Sequence, residues 1–179
     1  RKLGEVATVT TGYPFDSNDF NDGGEYLVIT NGNIQNYSPT VDSSLGNRIN
    51  FSNNAILSEY VLNPNDILVT MDGTVGRTAK VVEENQILAQ RVGRLTAKSD
   101  PEFLYQFLNT GEFFKKMTLI SHGGTIKHIS LSEISGYISF MPSSNEEQTQ
   151  IGTFFSHLDN LITHHQRKLQ KLQDIKKAY

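Results

Sequence analysis

The sequence contains no cysteine and no tryptophan. Without cysteine the chain cannot form a disulfide framework, a cysteine-ligated metal site or a thiol nucleophile. It has no apolar run near the length that crosses a bilayer, and residues 1–5 do not resemble a signal peptide. We therefore expect a cytoplasmic location and no membrane partner. The chain starts without Met and a helical pattern still runs at Tyr179, which predicts a fragment of a longer protein.

Sequence motifs of common enzymes are also missing. The glycine-rich segment 73–78 lacks the Gly-Lys-Ser/Thr of a phosphate-binding loop, and no Asn/Asp-Pro-Pro-aromatic tetrapeptide of amino-methyltransferases occurs. The adjacent residues His164 and His165 diverge by about 100° on a helix and cannot share a metal ion. We therefore expect no metal site and no catalysis. A minor alternative is a hydrolase that uses Asp66 and Asp72 with His122 or His128.

The charge is slightly acidic and unevenly distributed. The chain has 16 Lys and Arg against 19 Asp and Glu, and residues 1–145 carry 11 against 15. Because non-specific DNA affinity grows with the number of phosphates neutralised, DNA binding here requires local basic patches. One acid-free patch spans residues 113–132, and a second basic cluster comprises Arg77, Lys80, Arg91, Arg94 and Lys98. The alternative is that these are ordinary solvated surface charges.

The first 143 residues have the pattern of a mixed domain. Short apolar or alternating runs predict strands at 5–11, 26–30, 66–71, 74–82 and 87–95, with a hairpin turn at Asp72-Gly73. Three- and four-residue apolar spacing predicts one helix over 102–117, and a helical turn followed by a strand over 130–140. We predict an α+β domain with a twisted sheet and short helices over residues 1–143.

Residues 144–179 predict a single long helix. Ser144 and Glu147 have the spacing of a capping box, so the helix should begin near Asn145. A helix of about 33 residues is roughly 50 Å long. Steps of four and three predict a heptad seam and an antiparallel coiled-coil dimer through Ile151, Phe155, Leu158, Ile162, His165, Leu169, Leu172 and Tyr179, with Lys176 also on the seam. The alternative is a helix folded back on its own domain.

Several segments together carry a family resemblance. They are Leu3-Gly4-Glu5-Val6, Thr11–Phe15, Asn65–Thr70, Gly73–Arg77, Gly123–Ser130 and, in the helix, Glu146-Glu147-Gln148, Ile151-Gly152, Phe154-Phe155, Leu158-Asp159 and Gln166–Leu169. In this order they resemble a target recognition domain and the start of the spacer helix from the specificity subunit of a type I restriction–modification system. The resemblance covers nearly the whole chain and corresponds to one half of a subunit.

The resemblance implies a non-catalytic reader of DNA sequence. Its partners would be double-stranded DNA, a methyltransferase subunit, through it the restriction and motor subunit, and a second copy or second half of the specificity subunit. S-adenosylmethionine and ATP would bind only to partner subunits, so we expect no cofactor on this chain. The alternative is a coiled-coil dimerising protein-interaction module that does not bind DNA.

Candidate DNA contacts follow from the chemistry of the groove. Arginine and lysine read guanine, asparagine and glutamine read adenine, and lysines, hydroxyls and backbone N–H groups hold phosphates. The polar segment 30–37 is suited to adenine contacts, although it could be a plain turn, and 121–127 is suited to a phosphate clamp. The predicted DNA-binding residues are Tyr13, Asn31, Asn33, Arg77, Arg91, Arg94, Lys115, Lys116, His122 and Lys127.

Overall fold

The computed structural model describes residues 1–36, 38–50 and 58–178. The helices described are α1 (Leu3–Val6), α2 (Pro101–Leu108), α3 (Glu112–Ile120), α4 (Leu131–Ser135) and α5 (Asn145–Ala178). The strands are β1 (Ala7–Thr11), β2 (Tyr26–Ile29), β3 (Arg48–Ile49), β4 (Ile67–Thr70), β5 (Thr78–Lys80), β6 (Gln86–Leu88) and β7 (Val92–Ala97). The predicted α+β class is confirmed.

The strands form two small sheets where the sequence predicts one. The first sheet has the order β1-β7-β4-β5 and is antiparallel throughout. The second has the order β3-β2-β6, with β2 and β6 parallel. The single strand predicted over 87–95 is wrong, because the turn before Val92 transfers the chain from one sheet to the other. Arg91 in that turn has a φ of 65°.

Strand β4 explains how the two sheets share a core. Its four residues are all buried, and alternate side chains point to opposite faces of a sheet. Ile67 and Val69 pack among the helices, with residues such as Leu104 and Phe113. Leu68 packs on the other face, with the second sheet. An uninterrupted apolar run is typical of a strand that is covered on both faces.

The helix predicted over 102–117 is two helices. Asp100 caps α2, since its carboxylate accepts a hydrogen bond from the Phe103 N–H at 2.7 Å. The chain then leaves the helical conformation, and Gly111, with a φ of 95°, forms the N-cap of α3. The apolar periodicity continues on both sides of this break, so periodicity alone did not reveal it. The strand predicted near residue 138 is an isolated bridge to Lys2.

The hairpin predicted at Asp72-Gly73 is confirmed in its pairing but has a longer loop. Strands β4 and β5 pair antiparallel, with Val69 opposite Thr78. The connection runs from Met71 to Arg77, and only Gly73 and Gly76 in it have positive φ. The Thr70 hydroxyl donates to the Thr74 carbonyl at 2.6 Å and braces the loop from inside. This loop is the centre of the site described below.

Helix α5 begins at Asn145, as predicted. The Glu147 N–H donates to the Ser144 hydroxyl at 3.4 Å. Its first turns pack on α2: Gln148 is 2% exposed and Gln106 donates to the Asp159 carboxylate at 2.6 Å. Beyond that contact the helix is exposed along both faces. The helix therefore folds onto its own domain only at its beginning. None of the helices in the described part of the chain has the length and apolarity that would span a bilayer.

Gly152 allows α5 to approach α2 closely. A Cβ at this position would lie 2.7 Å from the Phe103 backbone nitrogen and 2.8 Å from the Asp100 carboxylate. Alanine is a better helix former than glycine by up to about 1 kcal/mol, but overpacking costs about 1–3 kcal/mol. We expect Gly152→Ala to lower the melting temperature, measured by circular dichroism. Thr153→Ala, at the exposed neighbouring position, is the control. A Gly152→Ala variant with the melting temperature of the wild type would contradict this close packing.

Candidate nucleic-acid interface

Three separate loops contact the 71–77 loop. The Met71 N–H donates to the Asn31 side-chain oxygen at 3.1 Å, and the Gly73 N–H donates to the Lys127 carbonyl at 2.8 Å. The Arg91 guanidinium lies 3.1 Å from the Asp72 carboxylate. We call the surface formed by Asn31, Asp72, Arg91, His122 and Lys127 the loop cluster. Residues predicted from three distant parts of the sequence thus meet at one surface around Asp72.

The 122–128 segment is a tight hairpin beside the loop. His122 and His128 exchange two backbone hydrogen bonds of 2.9 Å each. Gly123 has a φ of 100°, and a Cβ there would lie 2.3 Å from the Ile126 carbonyl. The Lys127 ammonium donates to the Gly123 carbonyl at 2.9 Å and stays exposed. The hairpin therefore presents a lysine and exposed backbone, as a phosphate clamp requires.

Glu133, in α4, contacts His122 at the start of this hairpin and Ser130 just after its end. Its carboxylate accepts hydrogen bonds from the Ser130 backbone N–H at 2.7 Å and from the Ser130 hydroxyl at 2.8 Å, and lies 2.6 Å from the His122 ring nitrogen Nε2. The Ser130 N–H is the main cause that lowers the pKa of Glu133 below its usual value; its hydroxyl and His122 act in the same direction. An ionised Glu133 therefore links α4 to the loop cluster.

Acidification tests this link. A lowered pKa means that ionised Glu133 stabilises the folded state above the ordinary glutamate pKa of about 4.3. The contribution is lost as the pH falls through the lowered pKa. We expect Glu133→Gln to lower the melting temperature at neutral pH, and the difference from wild type to shrink on acidification. Exposed Glu84→Gln is the control, and a difference that does not change with pH would refute the assignment.

Tyr13 borders the loop cluster through its backbone. The Gln90 N–H donates to the Tyr13 carbonyl at 2.9 Å, which places Tyr13 beside the turn that carries Arg91. Its ring is half-buried, with ring centroids 5.0 Å from Phe15 and 5.5 Å from Tyr60. Tyr13 is therefore part of an aromatic cluster at the edge of the surface.

The structure separates the two predicted asparagines. Asn31 is half-buried at the loop cluster. Asn33 is 1% exposed; its oxygen accepts from the backbone and hydroxyl of Thr30, and its amide donates to the carbonyls of Asp42 and Leu45 at 2.9 and 2.8 Å. Both N–H donors of the amide are used inside the domain. Asn33 shapes the 30–37 turn, and we remove it from the predicted DNA contacts.

Arg94 is also internal. Its guanidinium lies 2.8 Å from the Asp66 carboxylate, and the two side chains are 13% and 2% exposed. It also donates to the carbonyls of Glu59 and Val61 at 3.2 and 3.3 Å. Through these contacts Arg94 joins strand β7 to the segment before β4. We therefore correct its predicted role from DNA contact to a structural ion pair.

Two of the three remaining predicted residues border other cavities. Arg77 borders a cavity of about 370 Å³ against α2 and α3, and its Nε has no hydrogen-bond partner among the described residues. Lys115 is exposed and pairs with Glu112 at 3.0 Å. Lys116, also exposed, borders a cavity between α3 and α4. Arg77 ends the 71–77 loop, and Glu133 lines the same cavity as Lys116; the DNA contacts of Arg77, Lys115 and Lys116 stay predictions.

Comparison with known families identifies the architecture. Residues 1–174 match the family model described as the type I restriction modification DNA specificity domain. The chain belongs to this family. The resemblance read from the sequence motifs is thereby confirmed, and the prediction of a target recognition domain with it. No curated protein sequence matches this specificity domain.

Solved structures show the same fold. The S subunit of a type I restriction–modification system from M. genitalium matches with a TM-score of 0.65 and 18% identity, over 89% of this chain and 38% of that one. The HsdS subunit from Thermoanaerobacter tengcongensis matches with a TM-score of 0.67 and 18% identity, over 94% and 39%. A structure of a type I R-M system, concerned with its complex assembly, matches with a TM-score of 0.67 and 19% identity, over 93% and 39%.

The specificity domain thus spans about two-fifths of the length of the subunits that it matches in fold. This extent is that of a half subunit, as predicted. Two residues that hold the loop cluster in place were not singled out for this role from the sequence, Asp72 and Glu133. The Ser130 and Glu133 spacing of a capping box was a readable signal for the second. Nothing local indicated that Asp72 faces Arg91.

Proposed function

We propose that this specificity domain recognises a DNA sequence and directs partner methyltransferase and restriction subunits to it in the cytoplasm. The loop cluster carries this proposal. It combines groups suited to bases, the half-buried Asn31 and the exposed Arg91, with exposed groups suited to phosphates, His122 and Lys127. Hydrogen bonds between separate loops hold them in place before DNA binds. The chain itself is the non-catalytic component.

The long helix supplies the second part of the proposal. Its seam is exposed, with Leu158 at 37%, Ile162 at 54% and Leu169 at 56%. An apolar stripe of this length outside the domain indicates a helical partner. We propose that a second copy, or the second half of the specificity subunit, pairs antiparallel with α5. Ile151, Phe155, His165 and Leu172 lie on the same seam, and Tyr179 lies outside the described residues.

The relatives support partners beyond DNA. One matching structure concerns the complex assembly of a type I restriction–modification system. We propose that this chain joins such a complex through its methyltransferase subunit, with S-adenosylmethionine and ATP bound on partner subunits. A protein-interaction module that does not bind DNA would instead bind its partner proteins and show no salt-dependent affinity for a duplex.

Salt dependence of DNA binding distinguishes these functions. A phosphate contact by Lys127 should weaken all duplexes alike when it is changed to alanine, and reduce the salt slope by about one. We expect this result for Lys127→Ala in fluorescence anisotropy of the assembled methyltransferase complex, on cognate and scrambled duplexes. Lys171→Ala, on the exposed end of α5, is the control. If the affinity of the wild-type complex for the duplexes does not fall with salt concentration, the protein-interaction module is favoured.

A further inference from the structure

The backbone at Arg91 is unusual for an arginine. Arg91 has a φ of 65°, and the other non-glycine residues with positive φ in the described chain are Asn65 and Asn85. Asparagine tolerates this conformation well, whereas it is uncommon for arginine. The turn itself would therefore favour glycine or asparagine at position 91. Because the backbone conformation does not favour arginine at this position, the reason for an arginine lies in the contacts of its side chain.

The Arg91 side chain is held at both ends. At its base, the Gln90 N–H bonds to the Tyr13 carbonyl at 2.9 Å and fixes the turn. At its tip, Nη1 donates to Oδ2 of Asp72 at 3.1 Å. Asp72 is itself fixed, because its backbone bridges to His128 and the next N–H bonds to the Lys127 carbonyl.

This ion pair leaves most of the guanidinium available. The Arg91 side chain is 67% exposed and the Asp72 side chain 24%. An arginine has five N–H donors in a planar fork, and the contact with Asp72 uses Nη1 alone. Such an exposed pair adds little to stability. Its effect is to limit the rotamers of a side chain whose free donors face outward.

The carboxylate decides between phosphates and bases. Asp72 lies within hydrogen-bond distance of the guanidinium, so a phosphate bound there would approach a second negative charge. Guanine carries no charge and presents two acceptors, O6 and N7, that match two parallel N–H donors. We propose that Arg91 reads one guanine in the major groove and that Asp72 is its positioning residue. This inference rests on the proposed DNA recognition.

Base selection tests the pair. The assembled methyltransferase complex would select from duplexes with a randomised central segment, and bound sequences would be counted for the wild type and for Arg91→Ala, Arg91→Lys and Asp72→Asn. We expect Arg91→Ala to reduce the preference for guanine at one position about tenfold or more. Arg91→Lys, which keeps the charge without the planar fork, should keep only part of this preference, because lysine also donates to guanine but not through two parallel N–H groups. Glu84→Gln, which removes an exposed charge elsewhere, is the control and should keep it.

Asp72→Asn should separate positioning from general attraction. We expect a weaker guanine preference at the same position, while affinity for scrambled duplexes stays equal or rises because a negative charge is lost. A structural role for Asp72 would instead weaken binding to all sequences and lower the melting temperature. If wild type selects a sequence but Arg91→Ala keeps every preference, or weakens all duplexes alike, the guanine assignment is wrong and DNA recognition stands. If wild type selects no sequence, both proposals fail.

Discussion

Arg94→Ala is expected to destabilise the domain by about 3–5 kcal/mol, because it leaves the buried Asp66 carboxylate without its cation. Asp66 is 2% exposed and lies 2.8 Å from the guanidinium. It also accepts from the Thr96 hydroxyl at 2.7 Å and the Asn63 N–H at 2.8 Å, which hold it in place when the arginine is removed. Urea unfolding of the full chain measures this change.

Arg91→Ala is the matched control for Arg94→Ala. It removes the same side chain from an exposed ion pair, where the expected loss is about 0–1 kcal/mol. Each variant should therefore lose a different property of the wild type. Arg94→Ala should mainly lower the free energy of unfolding, and Arg91→Ala should mainly reduce the sequence preference. Equal stabilities for the two variants would show that the Asp66–Arg94 pair does not hold the domain together.

The second large effect concerns the α5 seam. Replacing Leu158 and Leu169 with lysine should convert a dimer of the full chain into a monomer, because both side chains lie on the proposed interface. These leucines are 37% and 56% exposed in the single chain, so lysine at either position costs the folded monomer little. Burying an unpaired ammonium in a helix–helix seam is costly. Sedimentation velocity at about 100 µM, a concentration at which a dimer with a micromolar dissociation constant is mostly associated, measures the change.

Asn160→Lys with Gln170→Lys is the control for the seam. It adds the same two charges to exposed positions of α5 that face away from the seam in the heptad pattern. This variant should remain dimeric. A wild-type chain that is monomeric at the same concentration would contradict self-association of this unit, and α5 would then require the other half of the subunit as its partner.

Local pattern was a good guide to the helix and strand segments and a poor guide to their ends and connections. The start of α5 followed from a capping serine three residues before a glutamate, which are neighbours in any helix. The break at Gly111 and the change of sheet at Arg91 did not follow. Each depends on where the next element packs, and apolar spacing carries no information on that.

The sequence by itself determined the class of this protein: an α+β domain, a long seam-bearing helix and the motifs of a specificity domain. Only the tertiary structure decided which of the predicted polar side chains are exposed and which are internal. Arg91 and Arg94 are three residues apart, and Asn31 and Asn33 two, yet one of each pair is internal. Arg94 meets Asp66 and Asn33 meets the carbonyls of Asp42 and Leu45. Burial and partners of a polar group are set by residues distant in the chain, which composition and spacing do not contain.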